Sequence, residues 1–156
     1  MAKRVLLDIH TSPAWYTLLG ISCHLRDYRI SYLLNENLRF RLIRLADLPY
    51  LPPGTEEPVL FPLFRWRDED LQNTFYLIPN RSEETLMVPR MRQADFLMLV
   101  GGPLKKRRQD ELLAGLRAIP NVLTAFTIPF SSVKNYENIL TDLELHLNDL
   151  GIETGQ

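Results

Sequence analysis

The sequence predicts one α+β domain, a two-layer sandwich. A mixed β-sheet with a central hairpin and a C-terminal strand–helix–strand–helix unit is faced by about three helices. Three observations carry that prediction. Two aromatic and branched runs, "VLFPLFRWR" (59–67) and "NTFYLI" (73–78), flank the polar turn "DEDLQ". "FLMLVG", a polar helical stretch and "NVLTAFTI" then follow in the order of a strand–helix–strand crossover. The last apolar residues, Val133, Tyr136, Leu140, Leu143, Leu147 and Leu150, repeat at alternating spacings of three and four.

The elements are justified in chain order. "RVLLDI" (4–9) is short, branched and apolar, as a first strand should be. Thr11 or Ser12 as cap and Pro13 at a first helical position predict a helix start, while 14–22 is open between helix and strand. Asp27 is placed to cap a helix whose apolar stripe is Tyr28, Ile30, Leu33, Leu34 and Leu38. "RFRLIRL" (39–45) reads as a strand and the Pro-rich 46–58 as a loop. Pro62 puts the first hairpin strand at an edge or a bulge, because proline donates no ladder hydrogen bond. Residues 104–118 form a helix stopped by Pro120, and 121–128 the next strand. The final helix runs from Ser131 or Ser132 to Gly151. Residues 1–151 are then one domain and 152–156 a tail.

Composition excludes several classes. With 46% hydrophobic and 24% charged residues the chain has the balance of a folded domain. A net charge of −1 argues against wholesale binding to nucleic acid or anionic membrane. The single Cys23 forbids an internal disulfide and a cysteine-rich zinc site, and fits a reducing, cytoplasmic setting. The apolar start breaks at Asp8, too soon for a signal-peptide core, and no run approaches the ~18 apolar residues of a membrane span.

Candidate chemistry is sparse. Cys23 and His24 are neighbours, but adjacency alone does not make a nucleophile–base pair, and His10 and His146 lie far away. No spacing suits a metal, so no catalytic residue, metal or cofactor is assigned. "VGGPLKKRR" (100–108) lacks any phosphate-loop pattern. It does crowd Lys105, Lys106, Arg107 and Arg108 into a first helical turn, where the macrodipole disfavours cations. That turn reads either as solvated or as an anion contact. Fourteen of the eighteen basic residues are arginine, several beside aromatics in "RFRLIR" and "FRWR". In a strand, however, Phe64 and Trp66 share one face and Arg65 and Arg67 the other. The final stripe packs on its own sheet or, alternatively, against a second copy. Glu137, Asp142, Glu144, Asp149 and Glu153 take the exposed positions of that helix.

"LLGISCHLRDYRISYLLNENL", "YLIPNRS", "VPRMRQADFLMLVGG" and "LRAIPNVLTAFTI" together resemble the IPExxxVDY family of small bacterial proteins, over about residues 4–140. The naming motif falls on Val88, Pro89, Arg90 and then Ala94, Asp95, Phe96. Pro89 and Asp95 match, and Arg90 stands where the family has glutamate. The resemblance implies a cytoplasmic setting and no named activity.

Pro89 and Asp95 can frame a turn, with the Asp95 carboxylate accepting backbone N–H groups or pairing with an arginine. The alternative is a recognition loop together with "NRS" (80–82). The expected function is a non-enzymatic protein-interaction module with an unknown protein partner, or a homodimer. Its candidate binding residues are Arg81, Arg90, Arg92, Asp95, Lys105, Lys106, Arg107 and Arg108. Two alternatives stand beside it: an RNA-associated factor using the basic turn and the Arg–aromatic strands, and a small-ligand sensor or enzyme near 101–103.

Overall fold

A computed structural model describes residues 13–152. The strand expected at 4–9 and the caps at Thr11 and Ser12 lie outside the described residues. One α+β domain is observed. Its six-stranded sheet, in spatial order, is β2 (Ile43–Tyr50), β3 (Val59–Asp68), β4 (Asn73–Pro79), β7 (Phe96–Gly101), β1 (Tyr16–Cys23) and β8 (Val122–Thr127), beside a small hairpin of β5 (Arg81–Ser82) and β6 (Thr85–Leu86).

Pro13–Trp15 is a single 3₁₀ turn rather than a helix start, and the undecided segment after it is strand β1, Tyr16–Cys23. Six of its eight residues are buried, so it belongs inside a sheet, where a branched apolar run fits best. Helix α1, Asp27–Leu38, follows; its cap residue is Arg26, and Asp27 Oδ1 accepts the Tyr28 N–H at 2.7 Å. Ile30, Leu33 and Leu34 are buried as expected, whereas Tyr28 is 65% exposed and lies off the stripe.

Strand β2 spans Ile43–Tyr50, displaced from the expected 39–45, so the start of the presumed Pro-rich loop, 46–50, is strand. Pairing decides the shift: the ladder with β3 runs from Ile43 opposite Arg65 to Tyr50 opposite Val59, and Phe40 and Leu42, although core, lie before it. Strands β3 (Val59–Asp68) and β4 (Asn73–Pro79) form the expected hairpin. Pro62 is not at an edge, because β3 lies between β2 and β4. It sits at a bulge, where the β2–β3 register jumps between Leu45 and Leu48.

Strands β5 (Arg81–Ser82) and β6 (Thr85–Leu86) make the small hairpin before β7, Phe96–Gly101. Helix α2 (Lys106–Ala118) and strand β8 (Val122–Thr127) complete the expected crossover. β1, however, inserts between β7 and β8 and pairs antiparallel with both. Every described ladder is therefore antiparallel, where a mixed sheet was expected.

The helices divide between the two faces, so the expected single helical layer becomes two. The cause lies in the central strands: all six residues of β7 and six of seven in β4 are buried, so both sheet faces need cover. On one face α1 and α2 pack with Leu19, Ile21, Phe75, Met98 and Val100. On the other, helix α3 (Tyr136–Asp149) sets Leu140, Leu143 and Leu147 against Leu18, Tyr76, Leu97 and Leu99. The apolar seam is thus core on its own sheet.

The ends of α3 differ from expectation. Ser131 and Ser132 belong to a 3₁₀ turn, and α3 begins after Asn135, whose side chain is engaged elsewhere. At the far end Gly151, at φ 74, closes a Schellman motif. Ile152 N–H reaches Leu147 O at 2.9 Å and Gly151 N–H reaches Asn148 O at 3.0 Å. Ile152, expected in the tail, packs partly buried against the core.

The acidic positions of α3 are the largest departure. Asp142 and Glu144 are buried, not exposed. Asp142 Oδ2 accepts the Leu51 N–H at 2.9 Å, and the Tyr16 hydroxyl donates to Glu144 Oε2 at 2.8 Å. His146 Nε2 donates to Ala46 O at 2.9 Å. Buried polar groups persist only when partnered, and these three are. Among the described residues Glu137 and Asp149 remain exposed on this helix.

Candidate functional site

The turn "VPRMRQAD" (88–95) is built around Asn80, whose side chain has no solvent exposure. Asn80 Oδ1 accepts the Val88 N–H at 2.8 Å, and its Nδ2 donates to Met91 O and Ala94 O at 3.0 Å each. Its backbone takes part too: Asn80 N–H donates to Asp95 O and its carbonyl accepts from Met87. Two tight turns, Met91 N–H to Val88 O and Ala94 N–H to Met91 O, complete the segment. Asp95 Oδ2 accepts the Cys23 N–H at 2.9 Å, beside the register shift in the β1–β8 ladder. Pro89 and Asp95 therefore shape the turn, as the framing reading expects. The "NRS" stretch is not a loop of one kind: its asparagine is the buried hub and Arg81 is exposed on β5.

One residue of this turn reaches a recess. Tyr50, Pro52, Pro53, Leu86, Val88 and Pro89 line an apolar groove of about 510 Å³, on the α3 face of the sheet, and Arg90 and Lys134 are its exposed cations. No carboxylate lines it. Asn135 ties its walls together, donating to the Tyr50 hydroxyl and to Met87 O at 2.8 Å. Three prolines with fixed φ stiffen the lining. Arg92 and Arg81 are exposed but do not line the groove.

The predicted residues thus separate into two groups. The 88–95 turn precedes β7 and the basic turn follows it, so they stand at opposite ends of a strand roughly 20 Å long. The helix answers two of its own cations. Lys106 Nζ lies 2.7 Å from Asp110 Oδ1, and Arg107 Nε 3.5 Å from Glu111 Oε2, each one helical turn away. Both pairs are solvent-facing and weak, yet they offset the unfavourable macrodipole without any ligand. Lys105 is exposed, and Arg108 is half-buried.

The glycines at 101–103 serve close packing. Gly102 lies at φ 98, and a Cβ there would fall 2.5 Å from Gln72 O. Asn73 Nδ2 fills the neighbouring space, donating to Gly101 O at 3.2 Å and Pro103 O at 2.9 Å. At the strand end expected to flank a small ligand, the space beside Gly102 is taken by Gln72 and Asn73.

Cys23 is 2% exposed in the apolar cluster under α1, whereas His24 is exposed. Burial raises the Cys23 thiol above its ordinary pKa, with Asp95 adding to the rise and a backbone bond at Leu25 opposing it. A buried thiol beside an exposed imidazole is the arrangement of a core cysteine rather than of a nucleophile–base pair. Burial also lifts the Glu144 carboxyl to about 7, against the lowering effect of the Tyr16 hydrogen bond. The Tyr16 phenol is in turn raised, by burial first and then by Glu144.

A scan of protein-family models finds no match to this chain, and a search of curated proteins finds none either. No helix among the described residues is long and apolar enough to cross a membrane.

Sequence reasoning missed Tyr50, Pro52, Pro53, Lys134 and Asn135, which build the groove with Arg90. The "PP" pair was visible as a stiff segment. That it meets the start of α3 is a tertiary fact with no local signal.

Proposed function

We propose that this chain is a non-enzymatic interaction module that docks an extended segment of a partner protein, apolar along its length and bearing an acidic side chain. The observation that supports the reading is the apolar groove whose exposed charges, Arg90 and Lys134, are both positive. An apolar floor favours apolar side chains, and a rim of one sign selects the opposite charge. Its proline-rich, hydrogen-bonded walls are pre-organised, which lowers the ordering cost of binding. The setting we infer is cytoplasmic, in keeping with one buried, unpaired thiol.

We also propose, from the motif-like residues at 88–96, that the chain is one of the IPExxxVDY proteins. Pro89 and Asp95 of the naming motif hold the turn, and Arg90, at the motif's glutamate position, is the residue that faces the groove.

A displayed library of short random peptides, selected on the purified chain, tests the reading. Apolar sequences with Asp or Glu should be enriched, and the double variant Arg90→Glu, Lys134→Glu should weaken them at least ~10-fold while melting normally. Peptides that bind this variant equally well would sink the proposal.

A further inference from the structure

Three stretches that are far apart in sequence meet on the opposite face of the sheet. Arg39, Phe40 and Arg41 follow α1, Trp66 and Arg67 end β3, and Arg108 lies in the first turn of α2. Together with Leu38 and the hairpin carboxylates Asp68, Glu69 and Asp70 they line a cleft of about 490 Å³. That volume is within the usual range for a small-molecule site.

The charges in the cleft are unequally used. Arg67 donates to Thr74 Oγ1 at 3.0 Å and to Gln72 Oε1 at 2.9 Å, with Glu69 3.7 Å away. Asp68 Oδ1 accepts the amides of Asp70 and Leu71. Arg39, Arg41 and Arg108 make no ion pair with a described residue. The Nε of Arg108 is buried with no hydrogen-bond partner, in contrast to its neighbours Lys106 and Arg107. A buried cationic donor left unsatisfied in a cleft calls for an acceptor.

Arg39 adds an independent sign. It occupies the left-handed position after α1, at φ 60, where glycine is the unstrained choice. Its backbone N–H bonds to Leu34 O, which a glycine would do equally well. What arginine alone supplies there is the guanidinium, facing the cleft.

The aromatic wall is rigid. Trp66 stacks on Phe75 at 5.2 Å and 15° and tilts against Phe40 at 4.7 Å. Guanidinium groups suit phosphate oxygens in paired geometry, and a half-buried indole offers a flat surface to a ring. Glu69 and Asp70, exposed on the hairpin wall of the cleft, would repel a phosphate chain that ran along that wall. We propose that this cleft binds a mononucleotide, its phosphates held by Arg39, Arg41 and Arg108 and its base set against Trp66.

Thermal-shift and calorimetric titration of the full chain with ATP, GTP, AMP, inorganic phosphate and a single-stranded RNA decamer tests this. A mononucleotide should raise the melting temperature saturably and more than inorganic phosphate does. Arg108→Gln should weaken it roughly 10-fold. Arg39→Gly should weaken it too while raising the melting temperature of the unliganded chain, so that lost binding is separated from lost folding. No mononucleotide binding up to about 1 mM would overturn the proposal. So would affinity unchanged in both variants, or tighter binding of the RNA decamer.

Discussion

The two faces of the sheet are built on different principles. Under α1 and α2 the core is chiefly apolar packing: Leu19, Ile21, Leu34, Phe75, Met98 and Leu116 exclude water, with Trp66, Phe40 and Phe75 in mutual contact, and the polar side chains Asn35 and Arg117 bond only to nearby backbone at its margin. Under α3 an apolar core of similar extent is laced with buried polar groups: Asp142, Glu144 and His146, each hydrogen-bonded to a distant segment, and Asn80, bonded to the turn that follows it. The first face is stabilised chiefly by area and should be indifferent to pH below the alkaline range of its buried thiol, Cys23. The second is specified by partners, and loses more when one partner is removed.

The largest test sets one residue of each face side by side. Asn80→Ala strands the Val88 amide and two well-placed carbonyls, and should cost about 4 kcal/mol in urea unfolding. Leu34→Ala on the apolar face should cost about 3 kcal/mol. A smaller loss at Asn80 than at Leu34 would erase the contrast.

The next test uses pH. Glu144 is raised from 4.5 to about 7 in the folded chain, so folding favours its protonated form. Its contribution is complete below pH 4.5 and is lost as pH rises through 7, with a slope of at most about 1.4 kcal/mol per pH unit. Glu144→Gln should flatten that slope between pH 5 and 8, leaving the variant relatively more stable at the upper end. Phe75→Leu should shift the whole curve without changing its slope.

Asp95→Ala should cost about 1.5 kcal/mol through the lost bond to the Cys23 amide, measured by the same unfolding. The smallest effect belongs to the surface. Asp110→Asn, which removes the exposed partner of Lys106, should change stability by less than about 0.5 kcal/mol.

The same contrast explains what could be read in advance. The α1 stripe, the hairpin, the Pro62 bulge and the strand–helix–strand unit rest on local periodicity and turn chemistry, and they were legible. In α3 the residues Asp142, Glu144 and His146 follow a polar-face pattern, yet Leu51, Tyr16 and Ala46 accept them into the interior. Those partners are 91 to 128 residues away, so no window of sequence contains the pairing. The candidate site divided in the same manner. Asp95 as a turn-former could be derived from its place beside Pro89, and Arg90 was singled out. The meeting of Pro52, Pro53 and Lys134 around it depends on how β2 runs beneath α3.

The position of β1 has a consequence for how the chain is made. It is the first described strand to leave the ribosome, yet it pairs only with Phe96–Gly101 and Val122–Thr127, which follow more than seventy residues later. The β2–β3–β4 meander can close as it emerges, because each strand's partner is next in line. β1, buried on both faces and open on both edges, must wait through most of synthesis for β7 and β8 to enclose it. An interior strand of the finished sheet is thus among the last parts to be enclosed, and the nascent chain spends that interval with an apolar strand that a chaperone would recognise.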